Sequence, residues 1–542
     1  MFAMKKLFLL MIAVATACNV MAVSVWDGTS VPWTNGNGTA TDPYLIETAA
    51  NLAYLAEQVN AGFEAEGHAV FAGTCFLLTD DLDLNQIGWT SIGHVNTNLE
   101  GLYFAGAFDG GFHTISNLNI QTDAEVTGLF ACLSDGPDGF WNPAIIENLF
   151  VTSGTITSTG LGAGGIVGAI GGNALVYRCG YSGSISVTSN GSYCGAGGIV
   201  AVMTQNSRVL ECSFTGTIHA TNNYYMGAAG GGGIVGAALG SSGIQHCYNT
   251  GSITASALLL SVAAGIVAAT LEENEVTVSS CYSVGALSAF NKGGIFGMIS
   301  PINPFKGETD ILVSNCYYLN TTASNNGYGT EKTAAEMRTE QFKDQLDQRA
   351  HAFVMDNGSN NGYPIHGLTS FRYLPVTDIT CHSAKLCARI HQGNDLIARA
   401  YFLYKHWEAE EWIEVDVATD GYVEVELDDL EPETYYEYGL VLTFADGISL
   451  SSAPMGFQTA VYDAVDATTH PVKVYPNPTI DVVHIEGLDV DEIQVYNVLG
   501  QMIKTVCGVN EIDLSDVFEG MYLLRVKDCQ GNVSGYAVEK RY

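Results

Sequence analysis

Short apolar segments separated by glycine dominate the middle of the chain. The block Gly164-Gly-Ile-Val-Gly168 returns four times in related form, and its isoleucines are 33, 35, 32 and 29 residues apart. The aligned isoleucines are Ile166, Ile199, Ile234, Ile266 and Ile295. β-Branched residues between glycines are typical of short strands, and the repeats show no helical period. Units that cannot bury an apolar face alone must stack, so the pattern predicts a β-solenoid with rungs about 4.8 Å apart.

Cysteines recur in the same register. Cys179, Cys212 and Cys247 each follow their isoleucine by 13 residues, whereas Cys281 and Cys316 follow theirs by 15 and 21. A zinc ladder or a chain of disulfides would also use regularly spaced cysteines. Because the set contains no Cys-x-x-Cys pair and no recurring histidine, we favour a buried stack of free thiols. Cys194 falls outside this repeat spacing, and the sequence does not explain its position.

Two segments of the repeats also fit other interpretations, a dinucleotide-binding loop and a membrane span. Gly162 to Gly168 resembles a phosphate-binding dinucleotide loop, but no helix or acidic residue follows at the required spacing. Residues 253–271 are long and apolar enough to cross a bilayer. The repeat alignment explains this stretch better, so we expect neither a bound dinucleotide nor a membrane span.

Outside the repeats the pattern changes twice. Ala49 to Gly62 predicts a short helix, and Thr333 to about Leu346 predicts a capped helix that covers the last rung. From Phe371 to Ala460 apolar and polar residues alternate with period two, as in Trp412 to Val417. This alternation is typical of half-buried strands in a small sandwich.

The first residues have the character of a signal peptide. Lys5 and Lys6 precede an apolar run from Leu7 to Ala15, and small residues follow, so we expect the mature chain to start near Val23. Cleavage before Cys18, as in a lipoprotein, is the alternative. The formal net charge is −36. Such a charge repels nucleic acid and anionic lipid, and it suits an exported protein.

Candidate catalytic groups are scarce. Between Val151 and Ser300 only seven residues are charged, and no acid recurs at a fixed repeat position. The segment Asp80-Asp-Leu-Asp83 and Asp109 lie nearer the start; we interpret Asp80 to Asp83 as a solvated strand edge, with calcium binding as the alternative. No catalytic residue, metal ligand or cofactor site is predicted. We therefore expect a protein that is not an enzyme, the alternative being a secreted carbohydrate-active enzyme on a β-helix.

Ligand binding is better supported than catalysis. The linking stretches Ser189 to Tyr193 and Thr221 to Met226 occupy equivalent places in successive units and are uncharged, polar and aromatic. Neighbouring rungs place them side by side. We therefore predict Tyr193, Tyr224 and Tyr225 as contacts for an extracellular glycan or protein, although ordinary turns have the same composition.

The Gly-Gly-Ile-Val-Gly blocks resemble the GLUG-motif repeats of bacterial surface and secreted proteins. The stretch Phe104 to Leu118 is similar to the segment that leads into such repeats, and Trp26 to Gly62 is similar to their entry region. The resemblance covers roughly residues 24–368. It implies a right-handed β-helix and a surface or adhesin-like role.

Two further resemblances lie near the C-terminus. Leu430-Glu-Pro-Glu-Thr-Tyr-Tyr436 is similar to the tyrosine corner of fibronectin type III modules. Val474-Tyr-Pro-Asn-Pro478 and the strands up to Tyr542 resemble the type IX secretion C-terminal sorting domain. That resemblance implies the type IX machinery as partner, removal of the domain, attachment to surface lipopolysaccharide, and an extracellular or outer-membrane location. Cys381 and Cys387 could pair in this environment, or face the same side unpaired.

The sequence therefore predicts an all-β protein: a right-handed β-helix, a fibronectin III-like β-sandwich and a small C-terminal β-sandwich. The expected segments are a signal peptide (1–22), an N-terminal cap with the first rungs (23–125), GLUG-like repeats (126–320), a C-terminal cap and linker (321–368), the fibronectin III-like sandwich (369–460), a linker (461–470) and the sorting domain (471–542).

Overall fold

The structure is a computed structural model. It describes residues 23–40, 42–63, 65, 68–96, 101–135, 144–270, 275–299, 311–323, 326–347, 352–394, 396–451, 455–460, 473–487, 489–497, 502–517, 520–529 and 533–541. The predicted signal peptide, the alternative cleavage site at Cys18 and the predicted 461–470 linker lie outside the described residues. Contact clustering divides the chain into one unit that ends at Thr369 and includes 393–395, and a second unit with the remaining C-terminal residues.

The first unit is a β-solenoid of about seven turns, which confirms the predicted fold class. One complete turn contains five short strands, each belonging to a different parallel sheet. In the turn around Cys179 these strands are Leu175–Tyr177, Gly180–Tyr181, Ser184–Ser189, Tyr193–Gly197 and Val200–Met203. We number the sheets one to five in that order.

The strands pair in parallel from turn to turn, apart from an antiparallel pair between His94–Val95 and Gly101–Phe104. Sheet one contains Tyr44–Ile46, Cys75–Leu78, Ala107–Asp109, Ile145–Glu147, Leu175–Tyr177, Arg208–Leu210, Ser242–Gln245, Val276–Ser279 and Ile311–Ser314. Sheet two contains Ser24–Val25, Leu82–Asp83, Thr114–Ser116, Phe150–Val151, Gly180–Tyr181, Ser213–Phe214, Tyr248–Asn249, Tyr282–Ser283, Tyr317–Leu319 and Thr330–Lys332.

The remaining three sheets complete each turn. Sheet three contains Leu118–Thr122, Gly154–Ser158, Ser184–Ser189, Thr217–Asn222, Ser252–Ala257 and Leu287–Ser288. Sheet four contains Val126–Thr127, Gly162–Gly164, Tyr193–Gly197, Ala228–Gly232, Leu260–Ala264 and Asn291–Gly293. Sheet five contains Ala69–Val70, His94–Val95, Gly101–Phe104, Phe130–Leu133, Val167–Ile170, Val200–Met203, Val235–Ala238, Val267–Thr270 and Phe296–Ile299.

The aligned isoleucines form the predicted ladder in the core. All five side chains are fully buried, and the backbone N–H of each of the first four donates to the carbonyl of the next, as from Ile199 to Ile234 at 3.0 Å. Each side chain thus packs between its equivalents above and below. Burial of a side chain of this size stabilises the fold by about 1.5–3 kcal/mol before entropy is considered.

The repeated glycines are required for close approach rather than for an unusual φ. A Cβ added at Gly183 or Gly216 would lie 2.4 or 2.0 Å from a glycine carbonyl of the preceding turn. The left-handed corner between sheets one and two is instead formed by residues other than glycine. Their φ values lie between 49° and 52°, and they are Asn148, Arg178, Glu211, His246, Ser280 and Asn315.

The N-terminal helix α1, Ala49–Ala61, forms where it was predicted. Thr48 caps it reciprocally with Asn51, and Gly62 ends it in the left-handed conformation. Leu52, Leu55 and Val59 are fully buried against the first rungs. The residues 253–271 that are apolar enough for a membrane span form strands of sheets three, four and five as far as they are described. Among the described residues, no helix has the length and apolar character to cross a membrane.

The predicted helix from Thr333 to Leu346 is wrong in extent and in position. Thr333 and Glu336 do cap each other, but the segment divides into a 3-10 helix, Glu336–Arg338, and helix α2, Glu340–Asp347. Thr339 is extended and its hydroxyl caps α2, which separates the two. Helix α2 does not cover the last rung: Phe342 packs against Tyr317 on the outer face of sheet two, with ring centroids 5.3 Å apart.

A return segment, residues 352–369, continues along this side of the solenoid towards earlier turns. It contains an antiparallel pair of strands, Phe353–Val354 and Ile365–His366. Phe353 packs against Tyr248 and Tyr282, and His366 Nε2 lies 2.8 Å from the carbonyl oxygen of His246. At its end, the carbonyl of Thr369 accepts a hydrogen bond from Arg178 at 3.1 Å. The return segment therefore connects several turns of the solenoid.

The second unit contains two sets of antiparallel sheets. In the first set, Ser370–Thr377, Ala384–His391 and Gly421–Leu427 form one sheet, and Ile397–His406, Ile413–Val417, Tyr435–Phe444, Ser449–Ser451 and Met455–Gln458 form the other. In the second set, Lys473–Tyr475, Val482–Glu486 and Glu511–Asp513 form one sheet, and Val490–Asn497, Met502–Cys507, Gly520–Asp528 and Val533–Lys540 form the other. Each set has its own buried apolar core.

The predicted tyrosine corner is present in the first of these sandwiches. The hydroxyl of Tyr436 accepts a hydrogen bond from the backbone N–H of Glu431 at 2.9 Å. Tyr436 is buried beside Phe457 in a stacked arrangement, with centroids 5.6 Å apart. This contact joins the loop after Gly421–Leu427 to the next strand, as the sequence pattern indicates.

Candidate functional site

The loops that carry the three predicted tyrosines lie at one corner of the solenoid, between sheets three and four. Residues 190–192 and 223–227 connect equivalent strands of successive turns, with Ser189 paired to Asn222 and Tyr193 paired to Ala228. The N–H of Ala228 donates to the carbonyl of Ser192 at 3.0 Å. The two linking loops are therefore neighbours, as expected.

Asn222 fixes the conformation of the second loop. Its side chain is buried, its Oδ1 accepts from the N–H of Tyr224 at 2.9 Å, and its Nδ2 donates to the carbonyls of Gly191 and Ala228 at 3.1 Å. This one buried amide forms hydrogen bonds with the backbone at both ends of the loop and with the neighbouring turn. The 223–227 loop therefore has a defined shape. A Cβ at Gly227 would lie 2.2 Å from Asn222 Oδ1, so glycine is needed there.

Tyr224 and Tyr225 project from this loop. Their side chains are 37% and 67% exposed, and their rings meet edge to face with centroids 4.9 Å apart. Tyr193 is placed differently. Its half-buried ring lies over Gly195 and Gly230 on sheet four, its hydroxyl is 3.5 Å from the carbonyl of Gly236, and burial raises its pKa. The structure thus groups two of the three tyrosines and separates the third from them.

The next two turns extend the exposed surface with residues that the sequence analysis did not select. The corner loops 258–259 and 289–290 are the equivalents of 223–227, since Asn222 pairs with Ala257 and Thr254 pairs with Ser288. Leu258, Leu259 and Phe290 are 80%, 62% and 87% exposed, and Met226 is 57% exposed. We call the combined surface the apolar ridge; it consists of Tyr224, Tyr225, Met226, Leu258, Leu259 and Phe290.

The repeat alignment contained the signal that could have identified the ridge. Each of these apolar residues falls in the stretch that follows a strand of sheet three, where a solvent-exposed turn is expected. Large apolar residues at three consecutive turns of that kind are unusual, because exposed turns favour small and polar residues. The sequence analysis searched the linking stretches for tyrosine. A comparison of their hydrophobicity would also have identified Met226, Leu258, Leu259 and Phe290.

The surroundings of the ridge carry little charge. No Asp, Glu, Lys or Arg occurs from Ser213 to Thr270, which covers almost two turns. The strands of sheet three that end at the ridge bury alternate residues. Their outward positions are Thr217, His219, Thr221, Ser252, Thr254, Ser256 and Ser288. A face of hydroxyl groups, with the imidazole of His219 among them, therefore borders the apolar ridge.

The cysteine ladder is a buried stack of free thiols, as predicted. Cys179, Cys212, Cys247, Cys281 and Cys316 are all buried and unpaired. The N–H of Cys179 donates to the Sγ of Cys212 at 3.4 Å, and the same contact joins Cys212 to Cys247. Burial raises the pKa of the thiols of Cys212 and Cys281 well above the usual value. These thiols pack and form weak hydrogen bonds.

The other cysteines in question are also free. Cys194 is fully buried on the inner face of sheet four, and its Sγ lies 3.4 Å from the carbonyl of Thr221. It is a core residue of a different sheet, which explains why it falls outside the ladder. Cys381 and Cys387 are unpaired, so of the two alternatives the structure shows the one without a disulfide.

The carboxylates of the acidic segment near the start accept hydrogen bonds from backbone N–H groups of the same turn and of the next turn. Leu82 and Leu84 are fully buried, whereas Asp81 and Asp83 lie on the outer side. Asp81 accepts from the N–H of Thr114 at 2.7 Å, and Asp83 accepts from the N–H of Asn85 at 2.7 Å. In the described part of the chain, no group of three or more His, Cys, Asp or Glu side chains is arranged to hold a metal ion.

Comparison with known protein families finds a match for one segment near the C-terminus. Residues 473–538 match the model of the secretion system C-terminal sorting domain. A protein of Evansella cellulosilytica that bears the provisional name Gly-rich membrane protein is 31% identical over 157 residues. That similarity covers 28% of this chain and 15% of the relative, so the chain spans only a small part of the relative's length.

Solved structures resemble parts of the chain at low TM-scores. The sensor domain of the anti-sigma factor RsgI4 of Pseudobacteroides cellulosolvens has 16% identity and a TM-score of 0.15, over 17% of this chain and 95% of that domain. The fibronectin(III)-like modules of Clostridium thermocellum CbhA have 11% identity and a TM-score of 0.15, over 32% and 93%. A two-domain fibronectin type III segment of chicken tenascin has 16% identity and a TM-score of 0.18, over 32% and 99%.

The match at residues 473–538 corresponds to two facing sheets at the end of the chain, in the place where the sequence predicts a type IX sorting domain. Such a tail is recognised by the type IX secretion machinery. The chain is therefore a β-solenoid protein with a type IX sorting tail, which indicates export to the cell surface or the extracellular space.

Proposed function

We propose that this protein is displayed outside the cell and binds an extracellular ligand through the apolar ridge. The observation that carries the proposal is the exposure of large apolar side chains at equivalent corners of three successive turns, in a chain with an export signal. Isolated exposed apolar residues are common on proteins. A contiguous group of them usually marks an interaction site.

The architecture supports binding by this surface. The loops of the ridge are short, and the strands on both sides pair in register with the turns above and below. A rigid support lowers the entropy lost when side chains become ordered on binding. Tyrosine is enriched among the residues that dominate interface energies, which favours Tyr224 and Tyr225 as contacts. Adhesion through these residues to a glycan, a protein or another extracellular surface is the proposed role.

The export pathway adds further proposals. We infer cleavage of a signal peptide before Val23, removal of the sorting domain after translocation and attachment to surface lipopolysaccharide. GLUG-type repeats are the proposed family of the solenoid. The sorting match supports export. The N-terminal sequence pattern supports the signal peptide, and removal of the sorting domain and attachment to lipopolysaccharide are what the resemblance to type IX sorting domains implies.

Binding without catalysis is part of the same proposal. Its support is the scarcity of acidic residues on the repeats, since glycoside hydrolysis requires a pair of carboxyl groups about 5–10 Å apart. The rival, a secreted carbohydrate-active enzyme, predicts release of reducing sugars from polysaccharides. Incubation of the purified protein with a polysaccharide panel tests this: reducing ends above the level of a heat-denatured sample would contradict the proposal.

Two experiments test the display and binding roles. Mass spectrometry of the protein from the native cell surface should find a start near Val23 and loss of the region after about His470. For binding, fluorescently labelled protein is added to whole cells and to arrays of glycans and extracellular-matrix proteins. The variant Tyr224→Ser/Tyr225→Ser should lose most of the adhesion, whereas Tyr401→Ser, a change in a sandwich, should retain it. Equal adhesion of the two variants would exclude the ridge as the contact.

A further inference from the structure

The apolar ridge has the form and chemistry of a surface that enters a lipid bilayer. We infer that it docks on a bilayer whose headgroups carry no net charge. This inference rests on the proposed binding role of the ridge and assigns the class of its ligand.

The ridge is convex. It lies at the corner where the chain leaves sheet three and enters sheet four, so the two sheets turn away from it on either side. The loops at Leu258-Leu259 and at 289–290 contain only two residues between strands, which places their side chains at the tip of the corner. Apolar groups on a convex edge can enter between lipid headgroups and bury their surface among acyl chains.

The size of the ridge suits shallow insertion. Three successive turns contribute, and rungs about 4.8 Å apart give a line of apolar tips on the order of 10 Å long. Apolar faces of interfacial proteins are buried about 5–10 Å into the boundary between headgroups and acyl chains. Phe290 and Leu258, the most exposed residues of the ridge at 87% and 80%, would enter deepest.

The residues beside the tips suit the headgroup layer. Tyr224 and Tyr225 occupy one end of the ridge, and tyrosine is enriched where apolar and polar zones of a membrane meet. On the sheet three side, the outward residues Thr221, Ser256 and Ser288 end the strands next to the ridge. Their hydroxyl groups can donate hydrogen bonds to phosphate and ester oxygens of the lipid.

Charge decides which bilayer is accepted. Two turns carry most of the ridge, and they contain no Asp, Glu, Lys or Arg between Ser213 and Thr270. In the third turn, the charged residue Lys292 follows Phe290 by two positions. The whole chain has a formal charge of −36. Anionic membranes attract polybasic segments and repel acidic proteins. A zwitterionic surface imposes no such penalty, so the charge pattern favours neutral headgroups.

Vesicle sedimentation tests the inference with the full chain. Wild-type protein is mixed with large vesicles of phosphatidylcholine, and the bound fraction is measured as a function of lipid concentration. The variant Leu258→Ser/Leu259→Ser/Phe290→Ser should bind the vesicles at least about tenfold more weakly than the wild type, because three inserted side chains lose their apolar burial. The matched control is Leu312→Ser, which changes a 50% exposed leucine on sheet one and should bind as the wild type does.

A second arm uses lipid charge. Replacement of part of the phosphatidylcholine by phosphatidylglycerol should weaken binding at low salt, and added salt should restore it. Thermal unfolding of the triple variant should match that of the wild type, which shows that loss of binding is not loss of fold.

Three results would overturn the inference: no binding of the wild type to phosphatidylcholine, equal binding of the triple variant, or stronger binding to phosphatidylglycerol. The proposed binding role is tested separately, by adhesion to whole cells. If the triple variant loses adhesion to whole cells while the wild type ignores vesicles, the ridge binds a protein or glycan and only the lipid inference fails. If both adhesion to cells and binding to vesicles are unchanged in the triple variant, both fail.

Discussion

Gly198 lies directly against the ring of Phe214, and a Cβ added at Gly198 would be 2.4 Å from Phe214 Cγ and 2.1 Å from the carbonyl oxygen of Gly233. One glycine thus makes two close contacts with the next turn, one with an aromatic ring and one with the backbone. The same relationship recurs at Gly165, whose Cβ would be 2.4 Å from Cγ of Tyr181 and 2.3 Å from the carbonyl oxygen of Gly198. The repeated glycine is therefore a requirement of rung packing.

Gly198→Ala should destabilise the solenoid strongly. The methyl group has no space against either the ring or the carbonyl, and overpacking of this kind costs about 1–3 kcal/mol or more. Gly243→Ala is the matched control, because its Cβ would meet only Arg208 Cγ at an ordinary 3.7 Å. Thermal unfolding followed by circular dichroism measures both. A midpoint for Gly198→Ala as high as that of the control would contradict the packing argument.

The ladder thiols should resist labelling in the native protein. Cys179, Cys212 and Cys281 are fully buried, whereas Cys507 and Cys529 are exposed. A maleimide reacts with the thiolate. Burial blocks access to all three ladder thiols, and it also raises the pKa of Cys212 and Cys281. Peptide mass spectrometry should therefore find rapid labelling of the exposed pair and labelling of the ladder only in denaturant. Native labelling of the ladder at the rate of Cys529 would show that the core is open.

Removal of one partner from the ion pair between Arg178 and Glu211 should loosen the return segment. The Nε to Oε2 distance is 2.7 Å, the side chains are only 11% and 13% exposed, and Arg178 also donates to Thr369. Arg178→Met leaves a carboxylate without its partner at a mostly buried position, which costs about 3–5 kcal/mol. The double variant Arg178→Met/Glu211→Leu should recover much of this. Limited proteolysis after residue 352 reports the effect, and equal cleavage of single and double variants would argue against the pair.

Acid should weaken the contact between the return segment and the solenoid. His366 is buried between Tyr248 and Phe353, and burial holds its pKa below the ordinary value of 6.5. Because the folded pKa lies below the unfolded one, the neutral ring contributes stability that is present above pH 6.5 and is lost as the pH falls. His366→Gln cannot titrate. Its unfolding midpoint should fall less than that of the wild type between about pH 7.5 and about pH 5.5, and parallel decreases would exclude His366 as the cause.

Tyr436→Phe should open the tyrosine corner. Loss of the hydroxyl leaves the N–H of Glu431 without its acceptor, a change that costs about 1–3 kcal/mol where the group is shielded from water. The neighbouring change Tyr435→Phe is the control, since that side chain is 47% exposed. Hydrogen exchange of peptides that contain Glu431 should accelerate only in the first variant. Identical exchange in both would mean that the hydroxyl contributes nothing.

The sequence by itself determined the elements that depend on a repeated local pattern. The positions of Ile166, Ile199 and their equivalents predict the solenoid because every turn must bury the same face. The cysteine register predicts buried thiols for the same reason, and Leu430 to Tyr436 predicts the tyrosine corner from a short motif. In each of these, the residues that make the contact lie close in sequence or recur at the repeat length.

Only the tertiary structure decided how segments outside the repeat pack and which turns stay exposed. The pattern at Thr333 to Leu346 indicates helix but contains nothing about Tyr317, the residue that Phe342 covers. Tyr193 and Tyr225 look alike in sequence, yet the ring of Tyr193 rests on glycines of its own and the next turn, whereas the ring of Tyr225 projects into solvent. The exposure of Leu258 and Phe290 likewise depends on which neighbours are absent at their corner. Such contacts join residues far apart in sequence, so no local pattern of hydrophobic and polar positions specifies them.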